Sequence, residues 1–194
     1  AQPILIGRPH VIEQRIEKLG LRIRPGVDFE LVNNENDPRY RDYWQTYHAL
    51  MERRGVTPDI ARAVMRTNST AIAAVAVHRG EADSMFCGTF GQYLWHLNYV
   101  NQVLGRDGLY PHGALSLMIQ EDGPLFVADT HVNAVPTPEQ IATTIIGAAR
   151  HARRFGVTPR VALCSHSNFG NLDNDSGRRM RAARDILEAR GVDF

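Results

Sequence analysis

Cysteine is almost missing from this chain: Cys87 and Cys164 are the two among 194 residues, far apart and each in an apolar run. Thiols so placed make neither a disulfide framework nor a metal-binding pair, and they fit a reducing, cytoplasmic setting. Charge of one sign is not in excess either. The 22 Lys and Arg against 21 Asp and Glu leave +1, without the basic stripe that nucleic-acid binders carry. No apolar run reaches the ~20 residues a bilayer span needs. The opening "AQPILIG" lacks the charged head and apolar core of a signal peptide. Neither nucleic acid nor a membrane is therefore expected as a partner. Repeats, low-complexity tracts, a Walker loop, a G-x-S-x-G elbow and a complete Rossmann fingerprint are absent as well.

What is present reads as an ordinary globule, 43% apolar and 22% charged, long enough to bury a core without staples. "PILIG" (3–7) and "FELVN" (29–33) predict strands around a helix, "PHVIEQRIEKLG", whose Val11, Ile12, Ile16 and Leu19 share one side. A helix with Asp37 as N-cap and Pro38 in its first turn runs to Gly55. Arg53 and Arg54 at its end offset the macrodipole. "TPDIARAVMR" and the small-residue run "STAIAAVAVHRG" predict two more, the second able to pack closely on a sheet. "ADSMFCG" (82–88) predicts a buried strand, followed by an amphipathic helix with Leu94, Leu97 and Val100 inward. "GALSLMIQ" and "PLFVADT" predict a hairpin joined by "EDG". Thr137 and Gln140 predict a capping box, with Pro138 first in the helix and Gly156 ending it. "RVALC" (160–164) predicts a strand and "SGRRMRAARDILEARG" a last helix. The alternation implies α/β: a mostly parallel sheet, helices on both faces, one antiparallel hairpin. The chain stops after that helix at "VDF", where a further strand is expected, so a fold incomplete at the C-terminus is the expectation.

"CSHSNFGN" (164–171) concentrates the candidate chemistry. An apolar run turns into serines, a histidine, asparagines and a glycine, with an arginine-bearing helix behind. A strand–turn–helix of this kind aims backbone N–H groups at a ligand and favours phosphate. Ser165, Ser167, Asn168, Gly170 and Asn171 are the candidate donors, with Arg178 and Arg181 adding charge. Asp173 and Asp175 in the same loop would repel an anion. The competing reading is Asx and Ser turns with an N-cap at Asp175 or Ser176 and solvated arginines. Asp129 and His131, i and i+2 on one strand face, could be a metal pair, an acid–base pair or a polar strand end. Gly88, Thr89 and Gly91 resemble a glycine-rich turn, with packing of the next helix as the plainer explanation. Trp95 and His96 on that helix are read as packed or rim residues.

Several segments together resemble the phosphate acetyl/butyryltransferase family. They are "GVTPDIARAVMR", "GEADSMFCGT", "LFVADTHVN", "PTPEQIATTIIGAA", "RRFGVTPRVALCSHSNFGN" and "RRMRAARDIL", in order over nearly the whole chain. The "SHSNFG" form and "YRDYWQTYHALMERRG" are most similar to the C-terminal phosphotransacetylase-like domain of bacterial NADP-dependent malic enzymes. The resemblance implies a two-lobed fold of the isocitrate/isopropylmalate dehydrogenase group with a cleft between lobes, the first lobe over 1–110 and the start of the second over 111–194. It also implies a homo-oligomer, dimeric or higher. The partner it implies is a malic enzyme unit of the same polypeptide, which would hold the NADP and the Mg or Mn; no cofactor or metal is assigned to this segment. Acetyl-CoA is the ligand implied, as an allosteric effector, at Ser165, His166, Ser167, Asn168, Gly170, Asn171 and Arg178. Thr89, Asn98, Asp129 and Asn133 are the cleft candidates.

Departures from the family pattern bear on catalysis. The arginine of its "LRPALQII"-type helix falls on Asn98, and a basic position of its "ELRKHKG"-type segment falls on Met51, with Arg54 matching the last basic residue. The family's C-terminal catalytic segment lies beyond residue 194. No catalytic residue is assigned. The sequence is therefore compatible with a non-catalytic sensor domain, with an active phosphate acetyltransferase, or with a module that only assembles the oligomer.

Overall fold

The computed structural model describes residues 2–105 and 113–192. They fall into two compact units, one within residues 1–106 and one within 107–194. The expected lobe boundary at 110/111 lies outside the described residues.

In the first unit, β1 (Ile4–Ile6) and β2 (Glu30–Val32) pair in parallel, Leu5 opposite Leu31. The connecting helix α1 (Pro9–Lys18) half-buries Ile12 and Ile16, while Val11 and Leu19 stay exposed. Helix α2 (Tyr40–Met51) starts later than expected, behind Arg39 rather than Asp37. Asp37 instead closes the approach turn, accepting the Arg39 amide at 2.8 Å. A 3-10 turn over Glu52–Arg54 ends at Gly55, whose φ of 86° is left-handed. Helix α3 (Pro58–Thr67) is capped by Thr57, and α4 (Ser69–His78) by Asn68, whose side chain accepts the Ala71 amide at 3.0 Å.

Helix α4 is apolar nearly all round, the pattern of a helix enclosed by its neighbours. Ala71, Ile72, Ala74 and Val75 are buried, and the helix packs on α2, α3, α5 (Tyr93–Leu104) and β1. Its small residues thus serve mainly helix packing, where a sheet was expected. Tyr43, Tyr47, Met51, Met65 and Val103 complete this core. In α5 it is Val103 that is buried, whereas Leu94 is exposed. Burying a side chain such as Val75 or Met65 contributes roughly 2 kcal/mol.

In the second unit, β3 (Leu115–Gln120) and β4 (Gly123–Ala128) form the expected hairpin, Leu117 opposite Phe126, turning at Glu121 and Asp122. Helix α6 (Pro138–Arg154) carries the expected capping box: Thr137 Oγ1 accepts the Gln140 amide, and Gln140 accepts the Thr137 amide at 2.7 Å. Helix α7 (Asp175–Ala189) packs on α6 through Ala183 and Leu187 against Ile141, Ala142 and Ile145.

The sheet expectation needs correction. Among the described residues there is one parallel pair and one antiparallel pair, each of two strands. A mostly parallel sheet with helices on both faces is not formed there. Residues 82–88 and 160–164 are outside regular secondary structure. A strand exists only as part of a ladder, and neither run has a neighbouring strand to pair with among the described residues. Burial follows: Phe86 is 99% exposed, and Cys87, Val161 and Cys164 are exposed, while Leu163 is held against the α6–α7 core.

Candidate functional site

The loop behind residue 164 is a built turn. Ser167 Oγ accepts the Leu172 amide at 3.0 Å, closing residues 167–172. Inside that closure Asn168–Gly170 make a 3-10 turn, with the Asn171 amide on the Asn168 carbonyl at 3.1 Å. Gly170 has a φ of 73°, a region that side chains with a Cβ enter at a cost. Ser165 is half-buried, while His166, Asn168 and Asn171 are exposed. The loop feeds α7, but the N-cap is Asn174, one residue before Asp175 and two before Ser176, the expected caps; its Oδ1 accepts the Gly177 amide at 2.7 Å. Gly177 is buried in that cap: an added Cβ would lie 3.4 Å from Asn174 Oδ1 and from the Leu172 carbonyl.

Arg178 and Arg181 are exposed, as the turn-and-cap reading expects, but both are paired. Arg178 pairs with Asp173 at 3.0 Å and with Asp175, and Arg181 pairs with Asp173 at 2.6 Å. Two guanidiniums and two carboxylates therefore cancel at the mouth of α7. The Arg181 hydrogen bond, then the Arg178 charge, hold the Asp173 carboxyl below the usual carboxylate range. Asp173 and Asp175 were expected to repel an anion; they also occupy the arginines that would attract one. The Asp175–Arg178 spacing, i and i+3 on a helix, is the sequence signal for such pairing.

Asp129 and His131 do not share a strand face. Strand β4 ends at Ala128, and Asp129 has a φ of 53°, so alternation no longer applies. The Asp129 carboxylate instead accepts the Val132 and Asn133 amides, each at 3.3 Å, and Asn133 Nδ2 at 2.7 Å. Two cleft candidates, Asp129 and Asn133, are thus bonded to each other in a turn. His131 Nδ1 lies 2.8 Å from Thr130 Oγ1. Among the described residues no group of three His, Cys, Asp or Glu could hold a metal ion.

In the first unit, Thr89 and Asn98 are both exposed, Thr89 in the glycine turn and Asn98 on α5. Gly88 and Gly91 each have a φ of 92°, as a tight left-handed turn demands. Of the packed and rim readings of His96, its half-buried ring fits the packed one. Nδ1 lies 2.8 Å from Thr70 Oγ1 on α4, and Nε2 lies 2.8 Å from the Phe90 carbonyl. Met51, on which the resemblance places a basic residue, is only 4% exposed inside the core. An ammonium or guanidinium there would lack water or a counter-ion.

The family described as phosphate acetyl/butaryl transferase matches residues 1–194. The chain belongs to the phosphate acetyl/butaryl transferase family. Within the family its similarity runs strongly to malic enzymes. It is 52% identical to the NADP-dependent malic enzyme of Salmonella typhimurium, over 100% of this chain and 26% of that protein. It is 53% identical to the NAD-dependent malic enzyme of Rhizobium meliloti, over 100% and 25%. It is 32% identical to the phosphate acetyltransferase of Nitratidesulfovibrio vulgaris, over 86% and 23%. The chain thus spans about a quarter of the length of these relatives. The EutD phosphotransacetylase structure from Staphylococcus aureus superposes with a TM-score of 0.74 at 20% identity, covering 98% of this chain and 58% of that one. That likeness establishes a phosphotransacetylase-like α/β fold. No helix among the described residues is long and apolar enough to cross a membrane.

Proposed function

We propose that this chain is a ligand-sensing domain of a malic enzyme: it binds acetyl-CoA at the 165–171 turn without transferring the acetyl group. The observation that carries the reading is the cancelled charge at that turn. Ser165, Ser167, Asn168, Gly170 and Asn171 offer neutral donors, with His166 at the rim to select among acyl-CoA ligands. Arg178 stands behind them, already paired with Asp173 and Asp175. Neutral donors can hold a ground-state phosphate or carbonyl. Acetyl transfer between acetyl phosphate and CoA asks for more: a base for the thiol, and preorganised charge on the developing oxyanion, where each contact supplies about 3 kcal/mol. Asn98, in place of the family arginine, donates a hydrogen bond but brings neither charge nor a bidentate fork. Binding kept while transition-state groups are lost is a physical route from enzyme to sensor.

Regulation needs differential affinity for two states of the assembly, not binding alone. In this reading the oxidative decarboxylation of malate, its NADP or NAD and its divalent metal belong to another part of a longer, homo-oligomeric polypeptide. The test is malate oxidation by the full-length protein, with and without acetyl-CoA. The wild type responds to the ligand, and a Ser165→Ala/Asn171→Ala variant keeps the basal rate but loses the response. A wild-type rate indifferent to acetyl-CoA would reject the proposal.

The 32% identity to a phosphate acetyltransferase favours a second reading, in which the chain forms part of a working acyltransferase. CoA-dependent consumption of acetyl phosphate by the full-length protein separates the two.

A further inference from the structure

Among the described residues four arginines lie over aromatic rings: Arg39 and Arg79 over Tyr43, Arg62 over Trp44 and Arg66 over Tyr40. Three of them also meet a carboxylate. Arg39 meets Glu30 at 2.7 Å, Arg62 meets Asp59 at 2.6 Å, and Arg79 meets Glu81 at 2.6 Å. Arg66 is held as firmly and meets no carboxylate among the described residues. Its Cζ stands 4.5 Å from the Tyr40 ring centroid, and its Nε donates to Tyr40 Oη at 3.0 Å. Tyr40 in turn donates to the Arg62 carbonyl at 3.0 Å, and Asn34 Nδ2 donates to the Arg66 carbonyl at 3.1 Å. The spacing produces this arrangement. Tyr40 and Trp44 are i and i+4 on α2, and Arg62 and Arg66 are i and i+4 on α3, so two rings of one helix meet two guanidiniums of the next.

With Nε used, the two terminal amino groups of Arg66 remain side by side as a fork for one carboxylate. A guanidinium laid on a ring has already given up rotamer freedom, so pairing costs it less entropy than it costs a free surface arginine. Asp59 neutralises Arg62, which leaves Arg66 as the uncompensated charge of the ladder. Arg66 is exposed, whereas small-molecule sites are concave and bury most of their ligand; a protein surface is the fitting partner. We propose that Arg66 is a docking point for an acidic side chain, Asp or Glu, from a part of a longer polypeptide outside residues 1–194. This chain spans about a quarter of the malic enzymes it matches, so most of such a polypeptide is available to cover the α2–α3 face. The premise of a longer polypeptide is shared with the function proposed above; acetyl-CoA is not needed.

The experiment is zero-length carbodiimide coupling of the full-length Arg66→Lys variant, without acetyl-CoA. The reagent joins an amine through an amide bond to a carboxylate it already touches, and peptide mapping identifies that carboxylate. Lys18 is the one lysine of this chain, so little competes with the introduced amine. Position 66 is expected to couple to an Asp or Glu outside residues 1–194, with a yield that falls several-fold at high salt, because an exposed ion pair is screened. Coupling confined to residues 1–194, or no coupling at position 66, overturns the proposal. Reversing the charge gives a second reading. In Arg66→Glu the peptide that was coupled should exchange its amide hydrogens several-fold faster than in the wild type. Faster exchange confined to α3 is what a merely structural ladder would give, and it overturns the docking even where coupling succeeds. A protein indifferent to acetyl-CoA but coupled at position 66 loses the sensing function and keeps this surface.

Discussion

Replacing Asp173 by Asn tests the charge balance at the 165–171 turn. Asp173 holds Arg178 at 3.0 Å and Arg181 at 2.6 Å. The amide keeps the shape but gives up the charge, so Arg181 loses its carboxylate partner there and Arg178 retains only Asp175. The turn changes from balanced to one net positive charge. All of these groups are in water, so the gain is that of one unit charge acting through solvent. At the spacing of a bound phosphate this is about a two- to fivefold tighter association. Screening over ~8 Å at physiological salt erodes it further. Helix α7 keeps its Asn174 cap, so the unfolding midpoint should hardly move. The assay is calorimetric titration with acetyl-CoA at low and at high salt. Tighter binding at low salt that fades at high salt is the expected result. Affinity unchanged or weakened at low salt would refute the assignment of the anion to this turn.

Tyr43→Phe removes a hydrogen bond from the Tyr43 hydroxyl to Glu81 Oε2 at 2.5 Å and leaves Glu81 to Arg79 and, at 3.9 Å, Arg39. A bond to a charged acceptor is worth about 1.5–3 kcal/mol, so thermal unfolding should show a lower midpoint by several degrees. The same cluster sets an acid limit. Burial raises the Glu81 and Asp37 carboxyls, but hydrogen bonds from Tyr43 and Arg79, and from Arg39, outweigh it, so both end lowered. A carboxylate with a depressed folded pKa contributes stability above its unfolded pKa, about 4, and loses it as pH falls through the folded value. The midpoint should therefore drop below about pH 4, and Glu81→Gln should flatten that drop. Thr137→Ala breaks the capping box of α6 and should cost about 1 kcal/mol, checked by denaturant unfolding with an unchanged m-value.

Local signals carried well from sequence to structure. The Thr57–Pro58 and Thr137–Pro138–Gln140 starts and the Glu121-Asp122-Gly123 hairpin need only neighbours in sequence, and each forms as expected. Residues 82–88 and 160–164 read as strands because apolar runs say nothing about which strand pairs with them. Pairing is long-range, and no neighbour among the described residues supplies it. At the candidate site the turn was legible from Ser167, Asn168 and Gly170. Its electrostatics were not: Asp173 and Asp175 read as repulsive charges until the geometry paired them with Arg178 and Arg181. His96 was legible as a packed or rim residue, but its partners were not. Its partners, Thr70 and Phe90, sit 26 and 6 residues away, on another helix and in a turn.

The most direct measurement follows both events on one sample of the full-length protein: acetyl-CoA binding by calorimetry, and thioester formation from acetyl phosphate and CoA. The account predicts saturable binding together with acyl transfer no faster than the uncatalysed background. Steady transfer at ordinary enzymatic rates, ~1–10³ per second, would contradict it.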